Sequence, residues 1–176
     1  VPFLLANKKA PVVVIAPGGA YLHVCMGHEG VDIAKRFNKL GFHAVIVCYR
    51  TSPCRYPCPQ LDFIRAIQMV RNNAEKWNII ENQVIAMGFS AGGHLASTAA
   101  THFDEETRPD FQILFYPVIT MGEYTHQGSK NLLLGKNPSE ELVKLYSNEL
   151  QVNEQTPPAF IMHSSDDKAV PVQNTI

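Results

Sequence analysis

"MGFSAGGHLAS", residues 87–97, ends the apolar run Val84-Ile85-Ala86-Met87 and opens into small residues with helical character. Gly88 and Gly92 stand two residues to either side of Ser90, which gives G-x-S-x-G. In a nucleophile elbow this pattern puts a serine on a sharp, strained turn between a strand and a helix, with its Oγ exposed at the C-terminal edge of a sheet. Glycine lacks a Cβ, so the chain can pass close to its neighbours at such a turn. The same five letters also arise by chance in an ordinary strand–turn–helix, so the rest of the chain has to decide between the two.

On either side of the elbow, apolar runs alternate with helical patterns. The runs are "PVVVIAP" (11–17), "FHAVIVCYR" (42–50), "NQVIAMGF" (82–89), "FQILFYPVI" (111–119) and "PAFIMHSS" (158–165). They are nearly continuous in apolar character, as suits parallel strands covered on both faces. Between them Val31, Ala34, Phe37 and Leu40 recur at helical spacing, with Gly41 placed to cap the end. Leu61, Ile64, Ile67, Val70, Ala74 and Trp77 predict a second apolar helical stripe, and a third helix should run from the elbow through His94 to about Thr101. This alternation implies an α/β fold with right-handed crossovers and a mostly parallel sheet flanked by helices on both faces. Residues 120–156 break the rhythm. They are polar, hold one short helical pattern (Ser139 to Tyr146), and read as a lid or pocket-wall insertion in a single domain over 1–176.

Composition excludes several classes. The 176 residues carry a net charge of −1 and 45% apolar side chains, which is ordinary for a globular domain and offers no basic surface for nucleic acid. No apolar run approaches the roughly 20 residues needed to span a bilayer. Val1 to Ala10 has no charged start, apolar stretch and small-residue cleavage site in succession, so compartment stays open. Of the four cysteines, Cys48 lies in an apolar run and is expected to be a small buried hydrophobe. Cys54 and Cys58 flank a proline-rich loop and are compatible with a local bridge or with free thiols. Their spacing and lack of a nearby histidine argue against zinc, and the reading includes no metal and no cofactor.

A serine hydroxyl attacks poorly unless a base takes its proton and donors await the oxyanion. "APGGAY" (16–21) follows the first strand, where Gly18 and Gly19 can offer backbone N–H groups, and Ala91 after the nucleophile supplies the second donor. For the acid, "MHSSDDKAVP" (162–171) follows the last strand and presents two candidates, Asp166 and Asp167, either of which could instead cap the next segment.

At this point the chain resembles the acetyl-xylan esterase and lipase-like branch of the α/β-hydrolase superfamily, whose acid loop reads D-x-x-V-P. Asp167 through Pro171 match that loop, and the resemblance selects Asp167 over Asp166. "HEG" (28–30), "YR" (49–50), "YPCPQLDFIRAI" (56–67), "GFSAGGHLA" (88–96), "RPDFQILFYPVI" (108–119) and "GSKNLLLG" (128–135) agree with it in order over nearly the whole chain. Ala20 replaces the third glycine that usually follows in the oxyanion loop. The resemblance implies a serine carboxylic-ester hydrolase, with acetylated sugars such as acetyl-xylan as its small-molecule or oligosaccharide substrates. Tyr21 and His23 are expected to line the pocket, and Tyr116 and Tyr124 suit a sugar-sized or aryl ester.

Seven histidines are available: His23, His28, His43, His94, His102, His126 and His163. None fits the base. His94 should point along the elbow helix, where the family also carries a structural histidine, and the family's base lies a few dozen residues beyond the acid. The expectation is a domain clipped at both ends whose general base lies beyond Ile176. Competing readings are a serine peptidase related to prolyl oligopeptidases and a non-catalytic binding module.

Overall fold

The computed structural model describes residues 1–176. Its six strands are β1 (Pro2–Phe3), β2 (Ala10–Ala16), β3 (His43–Ile46), β4 (Ile79–Phe89), β5 (Phe111–Phe115) and β6 (Ala159–Met162). They form one sheet in the order β1-β3-β2-β4-β5-β6, in which β1 runs antiparallel to β3 and every other pairing is parallel. The helices are α1 (Asp32–Lys39), α2 (Cys58–Asn72), α3 (Ala74–Trp77), α4 (Ala91–Thr101), α5 (Gln127–Leu134) and α6 (Glu140–Leu145). No helix is long and apolar enough to cross a membrane.

The period of two along β2 explains why its sequence is apolar throughout. Val12, Val14 and Ala16 pack with Phe63 and Ile67 of α2 and Leu95 of α4 on one face. Val13 and Ile15 pack with Ala34 of α1, Ala44, Ile46 and Phe89 on the other. Both faces are therefore closed by helices, as the continuous runs predict. Gly41 follows α1 at φ +92°, the left-handed conformation expected of a residue just past a helix end.

Three local expectations need correction. The stripe from Leu61 to Trp77 is split, because α2 ends at Asn72 and α3 begins at Ala74. The buried line on α2 runs through Pro59, Phe63, Ile67 and Val70, and Leu61 faces solvent. Cys48 is exposed: β3 stops at Ile46, and Cys48 lies beyond its end on an open rim beside Val1 and Pro2. All four thiols, including Cys54 and Cys58, are free.

Residues 120–156 hold two helices, not one. The unexpected α5 starts where the His126 side chain accepts the Ser129 N–H, a cap that a Gly-Ser-Asn-rich stretch conceals. Leu133, Leu134 and Tyr146 of this segment join the main core, and Asn148 bonds Ser97 and Thr98 of α4. The segment thus braces the elbow helix and helps wall a cavity of about 470 Å³ beside β6 that contains neither Ser90 nor Asp167.

Candidate active site

β4 and α4 meet at Ser90. The strand ends at Phe89, the helix begins at Ala91, and Ser90 between them has φ 52° and ψ −120°. A non-glycine residue in this region is strained and persists only where its surroundings enforce it. Here they do. Ser90 donates its N–H to the Phe115 carbonyl and its own carbonyl accepts from His94 and Val118. A Cβ at Gly88 would overlap the Gly92 carbonyl, and a Cβ at Gly92 would overlap the Ala16 and Pro17 carbonyls. The flanking glycines are what let the turn close against β2. The Ser90 Oγ makes no hydrogen bond within the chain and opens on a cleft of about 490 Å³ shared with Gly19, Ala20, His23, Tyr116 and Asp167. Other cavities are of similar size, so it is the chemistry of this lining that distinguishes it.

The loop after β2 is equally constrained. Gly19, Ala20 and Tyr21 take φ values of +130°, +56° and +61° in succession. Tyr49 donates its hydroxyl to the Pro17 carbonyl at 2.6 Å, Gly18 donates its N–H to Glu29 Oε2 at 2.6 Å, and Cys25 donates its N–H to the Gly18 carbonyl. This overturns one assignment. The Gly18 N–H is committed to a buried carboxylate and cannot serve an oxyanion. The N–H groups of Gly19 and Ala20 have no partner within the chain, and Ala91 stands at the first position of α4, where a helix leaves its N–H groups without intrahelical partners.

Glu29 is the residue that sequence reading passed over. It is buried, it holds Gly18 through Oε2, and it accepts the Tyr116 hydroxyl at 2.9 Å through Oε1. Tyr116 is itself at φ +36° on the cleft wall, and burial first, then Glu29, pushes its phenol well above the ordinary range. The "HEG" segment was the only sequence signal for this carboxylate, and it carried no assignment.

Tyr21 also departs from expectation. It is fully buried, and its hydroxyl lies 2.8 Å from His94 Nδ1, so it belongs to the core beneath the loop and does not line the Ser90 cleft. His94 Nε2 lies 2.8 Å from the Tyr146 carbonyl, which can only accept, so the imidazole carries its proton on Nε2 and receives the Tyr21 hydroxyl on Nδ1. Burial lowers the His94 pKa to about 4. Its place behind the loop, turned away from Ser90, is the one expected. His23 is exposed on the cleft rim.

Asp167 and Asp166 separate cleanly. Asp166 is exposed and accepts the Ser164 hydroxyl. Asp167 lines the cleft, and its Oδ1 accepts the N–H groups of Ala169 at 2.8 Å and Val170 at 2.9 Å. The Val170 amide above all, then that of Ala169 and the nearby His163, hold its carboxyl below the usual aspartate range. His163 is just past β6 with Nε2 3.5 Å from Asp167 Oδ2, yet that nitrogen also meets the Val170 carbonyl and Nδ1 meets the Thr175 hydroxyl. Both ring nitrogens are engaged, so His163 steadies the loop that carries Asp167.

The chain matches the BD-FAE family model over residues 4–176. It is 40% identical to Endo-1,4-beta-xylanase B of Butyrivibrio fibrisolvens over an alignment taking in 96% of this chain and 29% of that protein. It is also 40% identical to the Acetylxylan esterase of Xylanibacter ruminicola, covering 97% of this chain and 36% of that one. The chain therefore spans well under half the length of these two relatives. Among solved structures, the acetyl ester-xyloside bifunctional hydrolase of Caldicellulosiruptor lactoaceticus superposes with a TM-score of 0.96 at 42% identity, over 99% of this chain and 69% of the other. Parallel sheet, strained serine elbow and sequence likeness agree, and the chain belongs to the BD-FAE family of α/β hydrolases.

Proposed function

We propose that these residues carry the nucleophile, oxyanion donors and acid of a serine ester hydrolase that removes acetyl groups from sugars such as acetylated xylan. The observation that carries this reading is Ser90: strained, unpaired at Oγ, and open to a cleft that also holds Gly19 and Asp167. Residues 1–176 act as one α/β-hydrolase unit in which 120–156 braces the elbow helix. The sugar substrate is supported by likeness to relatives named for acetylxylan and acetyl ester-xyloside cleavage.

In this mechanism the Ser90 Oγ adds to the acyl carbon as a base takes its proton, and the carbonyl π pair moves onto oxygen. The N–H groups of Gly19 and Ala91 receive that charge, a contribution that typically accounts for about 10²–10³-fold in turnover per donor. Collapse expels the sugar oxygen, which takes the proton from the base, and water then cleaves the acetyl-serine by the same steps in reverse. Asp167, held anionic by its backbone donors, suits the task of orienting an imidazole and stabilising its cation. No histidine of the seven hydrogen-bonds Ser90, and His94 and His163 have both ring nitrogens occupied. Neither of those two suits the base, which the family resemblance places on a loop further along the chain than the acid.

A fluorophosphonate probe followed by peptide mapping tests the nucleophile, and acetylated xylo-oligosaccharides against a peptide substrate test the class. Labelling at Ser90, and acetate release by the full-length protein that Ser90→Ala lowers by about 10⁴-fold or more, are the expected results. Peptide cleavage without acetate release overturns the substrate class, and absence of both activities leaves a binding module. Full turnover from residues 1–176 alone would move the base to His23.

A further inference from the structure

The segment "HVCMGHE", residues 23–29, packs four metal-ligating side chains into seven positions. Three of them converge. A nitrogen of His28, the Sγ of Cys25 and a carboxylate oxygen of Glu29 all lie within 4.8 Å of one another. A single turn of π-helix over Gly27–Val31 follows Cys25 and brings His28 and Glu29 round to it. We propose that Cys25, His28 and Glu29 form a binding site for a zinc-class divalent cation on the rim of the Ser90 cleft, and that its occupancy obstructs acylation. This goes beyond the hydrolytic reading and does not require a metal in the reaction.

The donor set selects the ion class. A thiolate and an imidazole favour zinc or its chemical neighbours, whereas magnesium and calcium prefer oxygen donors. Two of the ligands are already held in place. Glu29 is fixed by Gly18 and Tyr116, and each carboxylate oxygen keeps a lone pair beyond the one that accepts its hydrogen bond. Cys25 is tied through its N–H to the Gly18 carbonyl. His28 is exposed and can swing without disturbing the core. Three protein ligands leave a fourth tetrahedral position for water or for His23, whose Nε2 is 3.5 Å from Cys25 Sγ. Cys25, Glu29 and His23 line the same cleft as Ser90 and Asp167, so an ion there narrows the approach to the nucleophile. It also draws on the carboxylate that holds the oxyanion loop.

Cobalt(II) is the probe, because thiolate-to-cobalt charge transfer gives an absorption band that needs no turnover. One equivalent should generate the band and zinc should displace it. Cys25→Ser should abolish it, and His28→Ala should weaken cobalt binding about tenfold or more, at least the loss seen for outer-shell partners. A Cys48/Cys54/Cys58→Ser triple variant should keep the band. No band in the wild type, a band surviving Cys25→Ser, or one lost in the triple variant overturns the site. Zinc should also slow phosphonate labelling of Ser90 in the wild type and leave the rate in Cys25→Ser unchanged; equal labelling at zinc saturation in the wild type overturns the obstruction. Cobalt binding in a protein that cleaves no ester would leave the site standing and remove only the hydrolase assignment.

Discussion

The two halves of the candidate site rest on different ground. On the Ser90 side, every residue of α4 from Ala91 to Ala100 is buried, and the loop facing it is fixed through Tyr49, Glu29 and His94. On the Asp167 side, all four residues of β6 are exposed within residues 1–176, and the loop beyond it depends on two backbone donors and His163. The strained conformations cluster at the first half: Ser90, Ala20, Tyr21 and Tyr116 all have positive φ. The contrast teaches where strain can be stored. Unfavourable backbone geometry persists only where dense packing leaves no relaxed alternative, and within residues 1–176 that packing surrounds Ser90 and the loop after β2.

The largest effect should come from attacking that packing directly. Gly92→Ala places a methyl group against the Ala16 and Pro17 carbonyl oxygens, and backbone on both sides cannot yield as a flexible side chain would. The expected cost is about 3 kcal/mol or more, the upper range for overpacking, read as a lower urea midpoint at unchanged slope. A variant of wild-type stability would mean that the elbow is looser than its backbone angles imply.

Acid should weaken the same half next. Burial keeps His94 neutral, with its pKa near 4, while an unfolded imidazole titrates near 6.5. As pH falls below about 6.5 the unfolded chain takes up the proton first, so stability is complete above that value and declines down to about 4. The loss is up to about 3 kcal/mol for this one group. Asp167, whose folded pKa is depressed, acts on the other side: its contribution is present above about 3.8 and fades only below it. Unfolding free energies between pH 7 and 4, with the His94 ring followed by NMR, separate the two. A His94 that titrates near 6.5 would break the account of the buried Tyr21–His94–Tyr146 chain.

How much of this was legible in the sequence follows the same division. Periodicity is a local signal, so the runs around Val13, Val84 and Ile113 announce their strands, and G-x-S-x-G announces the elbow. The D-x-x-V-P resemblance points to Asp167, and Asp167 is the one of the two aspartates that lines the Ser90 cleft. What stays hidden depends on partners distant in the chain. Glu29 acquires its role from Gly18 and from Tyr116, 87 residues away. Tyr21 looks like a pocket aromatic until His94, 73 residues on, draws its hydroxyl inward. Two non-glycine residues at positive φ beside Gly19 are disfavoured locally, so no propensity scale would place them there. The Gly18 N–H was misassigned for this reason: its direction is set by a carboxylate that the local sequence does not point to.

Glu29 gives a smaller and more specific test. Glu29→Ala leaves the buried Gly18 N–H without an acceptor, at a cost of about 1–3 kcal/mol. If the loop acts on the transition state, most of that should appear as a fall in kcat of about 10–100-fold with KM little changed. Glu29→Gln keeps one carbonyl oxygen for Gly18 and should recover most of the loss. Equal damage from both variants would show that the charge, and not the position of the loop, is what matters.

The smallest effect should lie at the other end of the site. Phe160 on β6 is 52% exposed, whereas Leu95 on α4 is 1% exposed. Leu95→Ala empties a closed position and should cost about 2–5 kcal/mol. Phe160→Ser removes a ring already half in water, whose main aromatic neighbour is Phe115 at a centroid distance of 6.4 Å. The expected loss is below about 1 kcal/mol, near the range for surface positions. Both are read from urea midpoints in one protein, so the ratio is more secure than either value. If Phe160→Ser cost as much as Leu95→Ala in residues 1–176, β6 would pack there as firmly as α4 does. The Asp167 loop would then be as firmly anchored as the elbow.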